Sequence, residues 1–113
     1  MPEAAEFLEG FGLVSGKQLA GYVLTHATST HESIKRYQEY RYKITLTFQN
    51  RGTGVYENLY YALHAYISLE HIIYGIKNPY RCIIDDPQEG DVDMYSNGAV
   101  VFHLTGHAYR SYS

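Results

Sequence analysis

Ten consecutive residues constrain the architecture of this chain more tightly than any others. From Tyr40 to Gln49, the side chains of Tyr40, Tyr42, Ile44, Leu46 and Phe48 alternate with Arg41, Lys43, Thr45, Thr47 and Gln49. A period of two is the repeat of a β-strand, whose successive side chains leave opposite faces. The stretch therefore predicts a strand with one apolar face toward a core and one polar, partly basic face toward water. Strands of this one-sided kind belong to an antiparallel sheet covered by helix on a single face.

A cover follows in the chain. Asn50-Arg51-Gly52-Thr53-Gly54 reads as a turn, and a helix is predicted from Val55 to Ile72. Val55, Leu59, Ala62, Leu63, Tyr66 and Leu69 recur at three- and four-residue spacing and form one apolar stripe. Tyr56, Tyr60, Tyr61 and Ile67 widen it beyond what one sheet face requires, which points to further cover from the same chain or from a partner. Gly75 to Pro79 closes the helical region and Tyr80 to Ile84 reads as a strand. Asn97-Gly98, between Val92–Tyr95 and Ala99–Tyr109, signals a hairpin with a type I′ turn. In the last strand Val100, Phe102 and Leu104 share one face, and Val101, His103, Thr105, His107 and Tyr109 the other.

The N-terminal third is less patterned. A short helix is expected from Glu3 to Phe11, then a strand from Leu19 to Thr25, then a loop over Ala27 to Ser33 with a helical turn beginning after Thr30. The expected order is α–β–β–α–β–β–β. That is an α+β fold in a single domain, residues 1–113: an antiparallel sheet of about four to five strands packed by one long helix, with a short N-terminal helix.

Charge and cysteine content narrow the function classes. The net charge of -3 argues against a general nucleic-acid binder. Charge is segregated along the chain: Lys35, Arg36, Arg41, Lys43 and Arg51 fall in one stretch, and Asp85, Asp86, Glu89, Asp91 and Asp93 in another. Such a division suits a subunit that packs head to tail. Cys82 is the single cysteine, so no internal disulfide forms. Met1-Pro2-Glu3 lacks the basic and apolar start of a secretory signal, which gives an intracellular expectation. The 13 tyrosines are more than so small a core hides, and tyrosine is favoured at protein interfaces.

Catalytic and metal-binding patterns are weak. His103 and His107 lie roughly 13 Å apart along a predicted strand, and His64 and His71 about 10 Å apart along a predicted helix, too far for one ion. The run from Asp91 to Gly98 lacks the spacing of a calcium loop. Ser15-Gly16-Lys17 has the wrong order for a phosphate loop. Gly52-Thr53-Gly54 opens a helix and offers N–H groups to an anion, although the same glycines serve an ordinary turn. Cys82, inside a predicted strand, reads as a buried inert thiol. No catalytic, metal or cofactor site is assigned. A nuclease using Asp85, Asp86 and His103 is the enzymatic alternative.

Three stretches carry a resemblance: Tyr-Arg-Tyr-Lys-Ile-Thr-Leu-Thr-Phe-Gln-Asn-Arg (40–51), Tyr-Glu-Asn-Leu-Tyr-Tyr-Ala-Leu-His-Ala-Tyr (56–66) and Gly-Ala-Val-Val-Phe-His-Leu-Thr-Gly-His-Ala-Tyr-Arg (98–110). In order and patterning they resemble the tail terminator and tail-completion (minor capsid) proteins of long-tailed bacteriophages. That resemblance implies a homo-oligomeric ring that stops growth of the tail tube and joins it to the head connector. Partners would then be the tail tube and connector proteins, with DNA only as passing cargo and no membrane. The location would be the host cytoplasm during assembly and then the virion. The interface expected on this basis pairs Arg41, Lys43 and Arg51 of one subunit with Asp85, Asp86, Asp91 and Asp93 of the next, with Tyr56 and Tyr60 contributing. The alternative is a small anti-defence or immunity inhibitor that binds a host enzyme through a tyrosine-rich acidic surface.

Overall fold

The computed structural model describes residues 3–34, 39–77 and 80–110. Helix α1 (Ala4–Gly10) leads into strands β1 (Gln18–Leu19), β2 (Tyr22–Ile34) and β3 (Glu39–Asn50). Helix α2 (Tyr56–Lys77) follows, then β4 (Tyr80–Ile84), a 3-10 turn (Glu89–Asp91), β5 (Val92–Met94) and β6 (Ala99–Arg110). Every strand pair is antiparallel, in the order β1-β2-β3-β6-β4, with β5 also pairing β6. The fold is the expected α+β arrangement: a short helix, a long helix and an antiparallel sheet.

The alternation in β3 does what its period dictates. Tyr42, Ile44, Leu46 and Phe48 are buried, and β6 answers with Val100, Phe102 and Leu104. Phe48 and Phe102 meet edge to face at 5.8 Å. Over this sheet face lie α1, through Phe7, Leu8 and the flanking Phe11, and α2, through Leu59, Leu63, Ile67 and Tyr74. Phe7 stacks on Tyr42 at 4.0 Å, and Phe11 stacks on Tyr74 at 5.3 Å. One core results, with no helix against the opposite sheet face among the described residues.

Four local expectations are corrected. The strand expected over Leu19–Thr25 is a hairpin: Leu19 pairs with Tyr22, and the two residues between them, Ala20 and Gly21, have φ of 50° and 81°. Positive φ at both central positions marks a type I′-like turn, which alanine adopts only under strain. The loop expected over Ala27–Ser33, with its helical turn after Thr30, is strand, since β2 pairs with β3 as far as Ile34 and Glu39. Its inward positions Ala27, Ser29, His31 and Ser33 carry little apolar signal, so pairing with β3 sets the conformation there. Helix α2 extends to Lys77, five residues past the expected end at Ile72, and contains Gly75; Asn78 and Pro79 lie outside the described residues. Finally, the Asn97-Gly98 hairpin forms, but only Gly98 has positive φ, at 86°. Gly98 N–H donates to Tyr95 O at 3.1 Å and Tyr95 N–H to Ala99 O at 2.9 Å, the pattern of a type I turn followed by a glycine bulge.

Candidate functional site

The outward face of the sheet carries the polar partners of each buried row. Across β2, β3 and β6, Glu32 aligns with Arg41 and His107, and Thr30 aligns with Lys43 and Thr105. These residues, with Glu39 and Asp85, line an open groove of about 690 Å³. Arg41 Nε lies 3.8 Å from Glu39 Oε1. Thr105 Oγ1 donates to Asp85 Oδ2 at 2.8 Å, and Asp85 N–H donates to Thr105 O at 2.9 Å. The groove is therefore of mixed sign: the basic pair Arg41 and Lys43 shares it with three carboxylates of the same molecule.

The remaining interface candidates scatter. Arg51 is exposed in the turn before α2, its N–H donating to Gly21 O at 2.9 Å. In that turn Asn50 Oδ1 accepts from the N–H groups of Gly52 (2.8 Å) and Gly54 (3.0 Å). Those donors are spent on Asn50, which favours the ordinary turn over an anion site. Asp86 lies 3.6 Å from His64, Asp93 lies 3.0 Å from His103, and Asp91 is exposed in the 3-10 turn. The residues of the nuclease alternative thus engage different neighbours: Asp85 holds Thr105, Asp86 faces His64 and His103 holds Asp93. No cluster of three potential metal ligands forms among the described residues.

Tyr56 and Tyr60 pack partly buried against the core, and Tyr60 Oη donates to Pro87 O at 2.6 Å. The exposed ring of this group is Tyr61, 70% accessible. It heads a second apolar stripe that sequence periodicity does not separate from the first. Tyr61, Ala65, Leu69, Ile72 and Ile76 follow one another at spacings of four, four, three and four along α2. Leu69, Ile72 and Ile76 are 56%, 63% and 80% accessible. At 3.6 residues per turn this stripe lies about opposite Leu59, Leu63, Ile67 and Tyr74. Helix α2 is apolar toward the sheet and apolar again toward solvent. Val55 and Leu69, expected in the buried stripe, are exposed, whereas Ile67, expected at its margin, is core.

Burial tunes several groups inside the fold, and three of them meet where α2 packs on β4. Cys82 is buried under α2, and desolvation raises its thiol above the ordinary range. Desolvation first, then the neighbouring Cys82, raises the Tyr74 phenol. His71 is lowered by burial, which outweighs the opposing pull of Asp86 and Asp85. None of the three faces the groove, and all are buried or partly buried at the junction of α2 with β4. No helix among the described residues is long and apolar enough to cross a membrane. No protein-family model, curated protein or solved structure matches this chain.

Proposed function

We propose that this chain is a non-enzymatic assembly protein whose copies associate with one another through the solvent side of α2. One observation carries the reading: Tyr61, Leu69, Ile72 and Ile76 form an uncovered apolar stripe on a helix whose other side already packs the core. A surface helix of a self-sufficient domain keeps charged residues on its outer face. A contiguous exposed apolar strip marks an interaction surface. Between Glu57 and Lys77 the stripe positions Tyr61, Ala65, Leu69, Ile72 and Ile76 carry no charge.

The resemblance to phage tail terminators supplies the particular form: a closed ring that caps the tail tube and meets the head connector. The α+β order and the one-sided sheet are compatible with it. In such a ring the charged groups flanking the sheet would set register between neighbours, as electrostatic pairs commonly do. Among them, Arg51, Asp86, Asp91 and Asp93 stand exposed at different edges of the molecule.

An inhibitor of a host enzyme is the second reading, favoured by Met94 and Tyr95, which are exposed beside Asp91 and Asp93. Electron microscopy of the purified protein separates the two. Closed rings of uniform diameter support the assembly reading. Isolated particles of one subunit that bind and silence a host enzyme contradict it.

A further inference from the structure

Among the described residues, the longest unguarded stretch of backbone is the free side of β2. Near its start, β1 and the Leu24 N–H to Lys17 O bond (2.7 Å) cover that side. From Ala27 to Ile34, β2 is hydrogen-bonded to β3 alone among the described residues. Eight residues span about 26 Å of open edge. Sheets normally guard such an edge with proline, lysine, a bulge or a covering element. Ala27-Thr28-Ser29-Thr30-His31-Glu32-Ser33-Ile34 contains neither proline nor lysine, and the bulge at Thr25 precedes it. The opposite edge is guarded: β4 has five residues, and His71 of α2 accepts the N–H of Ile84 at 2.7 Å.

We propose that the Ala27–Ile34 edge pairs with the same edge of a second copy, antiparallel about a two-fold axis at Thr30. The polarity continues that of every pair in the sheet, and a two-fold axis generates it without further adjustment. With Thr30 at the centre, Thr28 stands opposite the partner's Glu32 and Ser29 opposite the partner's His31. No like charges face each other directly. Ser29 stands one cross-strand spacing, about 5 Å between Cα atoms, from the partner's His31. Within the chain His31 engages Glu3 through Nε2, leaving Nδ1 for this contact. Lys43, which makes no ion pair among the described residues, sits beside Thr30 on β3. The partner's Glu32, opposite Thr28, lies diagonally from Lys43, two strand spacings across and two residues along, about 12 Å between Cα atoms.

The pairing rests on the self-association proposed above only in that copies meet; it uses a different surface and fails separately. Its test is a Thr30→Cys variant of the full chain under mild oxidation, with Cys82 buried and Ser96→Cys in the β5–β6 turn as control. Directly opposed strand positions suit a disulfide, so Thr30→Cys should yield covalent dimer about tenfold faster than the control. Thr30→Lys and Thr30→Glu should each abolish the contact alone and restore it when mixed, read as sedimentation mass. Cross-linking no faster than the control, or charge variants with unchanged mass, overturns the edge pairing. Repeating the cross-link in an Ile72→Glu background separates the two ideas. Dimer that persists there supports the edge whatever becomes of the α2 contact, and dimer that vanishes there overturns it.

Discussion

His71 Nε2 accepts the backbone N–H of Ile84 at 2.7 Å, fastening the middle of α2 to the end of β4. An imidazole that accepts through Nε2 is neutral, with its proton on Nδ1. Its ring also meets Phe11 edge-on at 5.5 Å, so one side chain ties together both helices and an edge strand.

The pH consequence has a definite sign. Burial lowers the His71 pKa below 6.5 in the folded state, so the unfolded chain takes up the proton more readily. The stability this group contributes is fully present above about pH 6.5 and is lost as pH falls through the lowered value. The melting temperature should decline below pH 6.5, and His71→Gln, which keeps an acceptor but cannot titrate, should flatten that decline. An identical slope in the variant would remove His71 from the account.

The two stripes of α2 should separate by mutation. Leu63→Ala empties a fully buried site and should cost about 2–5 kcal/mol in chemical denaturation. Ile72→Ala, at an exposed site, should shift the stability of the isolated subunit by less than about 0.5 kcal/mol. Equal losses would mean that the helix is phased differently.

A tyrosine hydroxyl clasps the C-terminal end of the N-terminal helix. Tyr66 Oη donates to Phe11 O at 2.5 Å, and Gly12, at φ 71°, lies against that hydroxyl. Tyr66→Phe should cost about 1 kcal/mol. Gly12→Ala should cost about 1–3 kcal/mol, because it adds a Cβ where φ is positive and the space is filled. Thermal melts of the two variants test the ranking.

Asn50 organises the entry to α2 with three hydrogen bonds, to Gly52, Gly54 and the Gly54 carbonyl. Asn50→Ala should destabilise by about 1–3 kcal/mol, since the half-buried Gly54 donor and the exposed Gly52 donor both lose their acceptor. Amide exchange at Gly52 and Gly54 should accelerate in step; unchanged protection there would contradict this role.

What the sequence reveals of this fold depends on where apolar side chains alternate. β3 is legible because five large apolar residues occupy every second position. The second half of β2 is not, because Ser29, His31 and Ser33 occupy the core-side positions with no apolar signature and take their conformation from β3. The phase of α2 is ambiguous for the opposite reason. Two apolar stripes with helical spacing coexist, and periodicity does not say which meets the sheet. Of the charged interface candidates, Asp85 is brought beside Arg41 and Lys43 within one molecule by the pairing of β4 with β6, a non-local contact that linear charge patterning does not reveal.

The uncovered apolar side of α2 is the feature on which the functional reading turns, and sedimentation equilibrium measures it most directly. The native protein should sediment as a multiple of 12.9 kDa, and Leu69→Glu with Ile72→Glu should lower that mass while leaving the fold intact by circular dichroism. A native protein that stays at 12.9 kDa at high concentration would contradict the account.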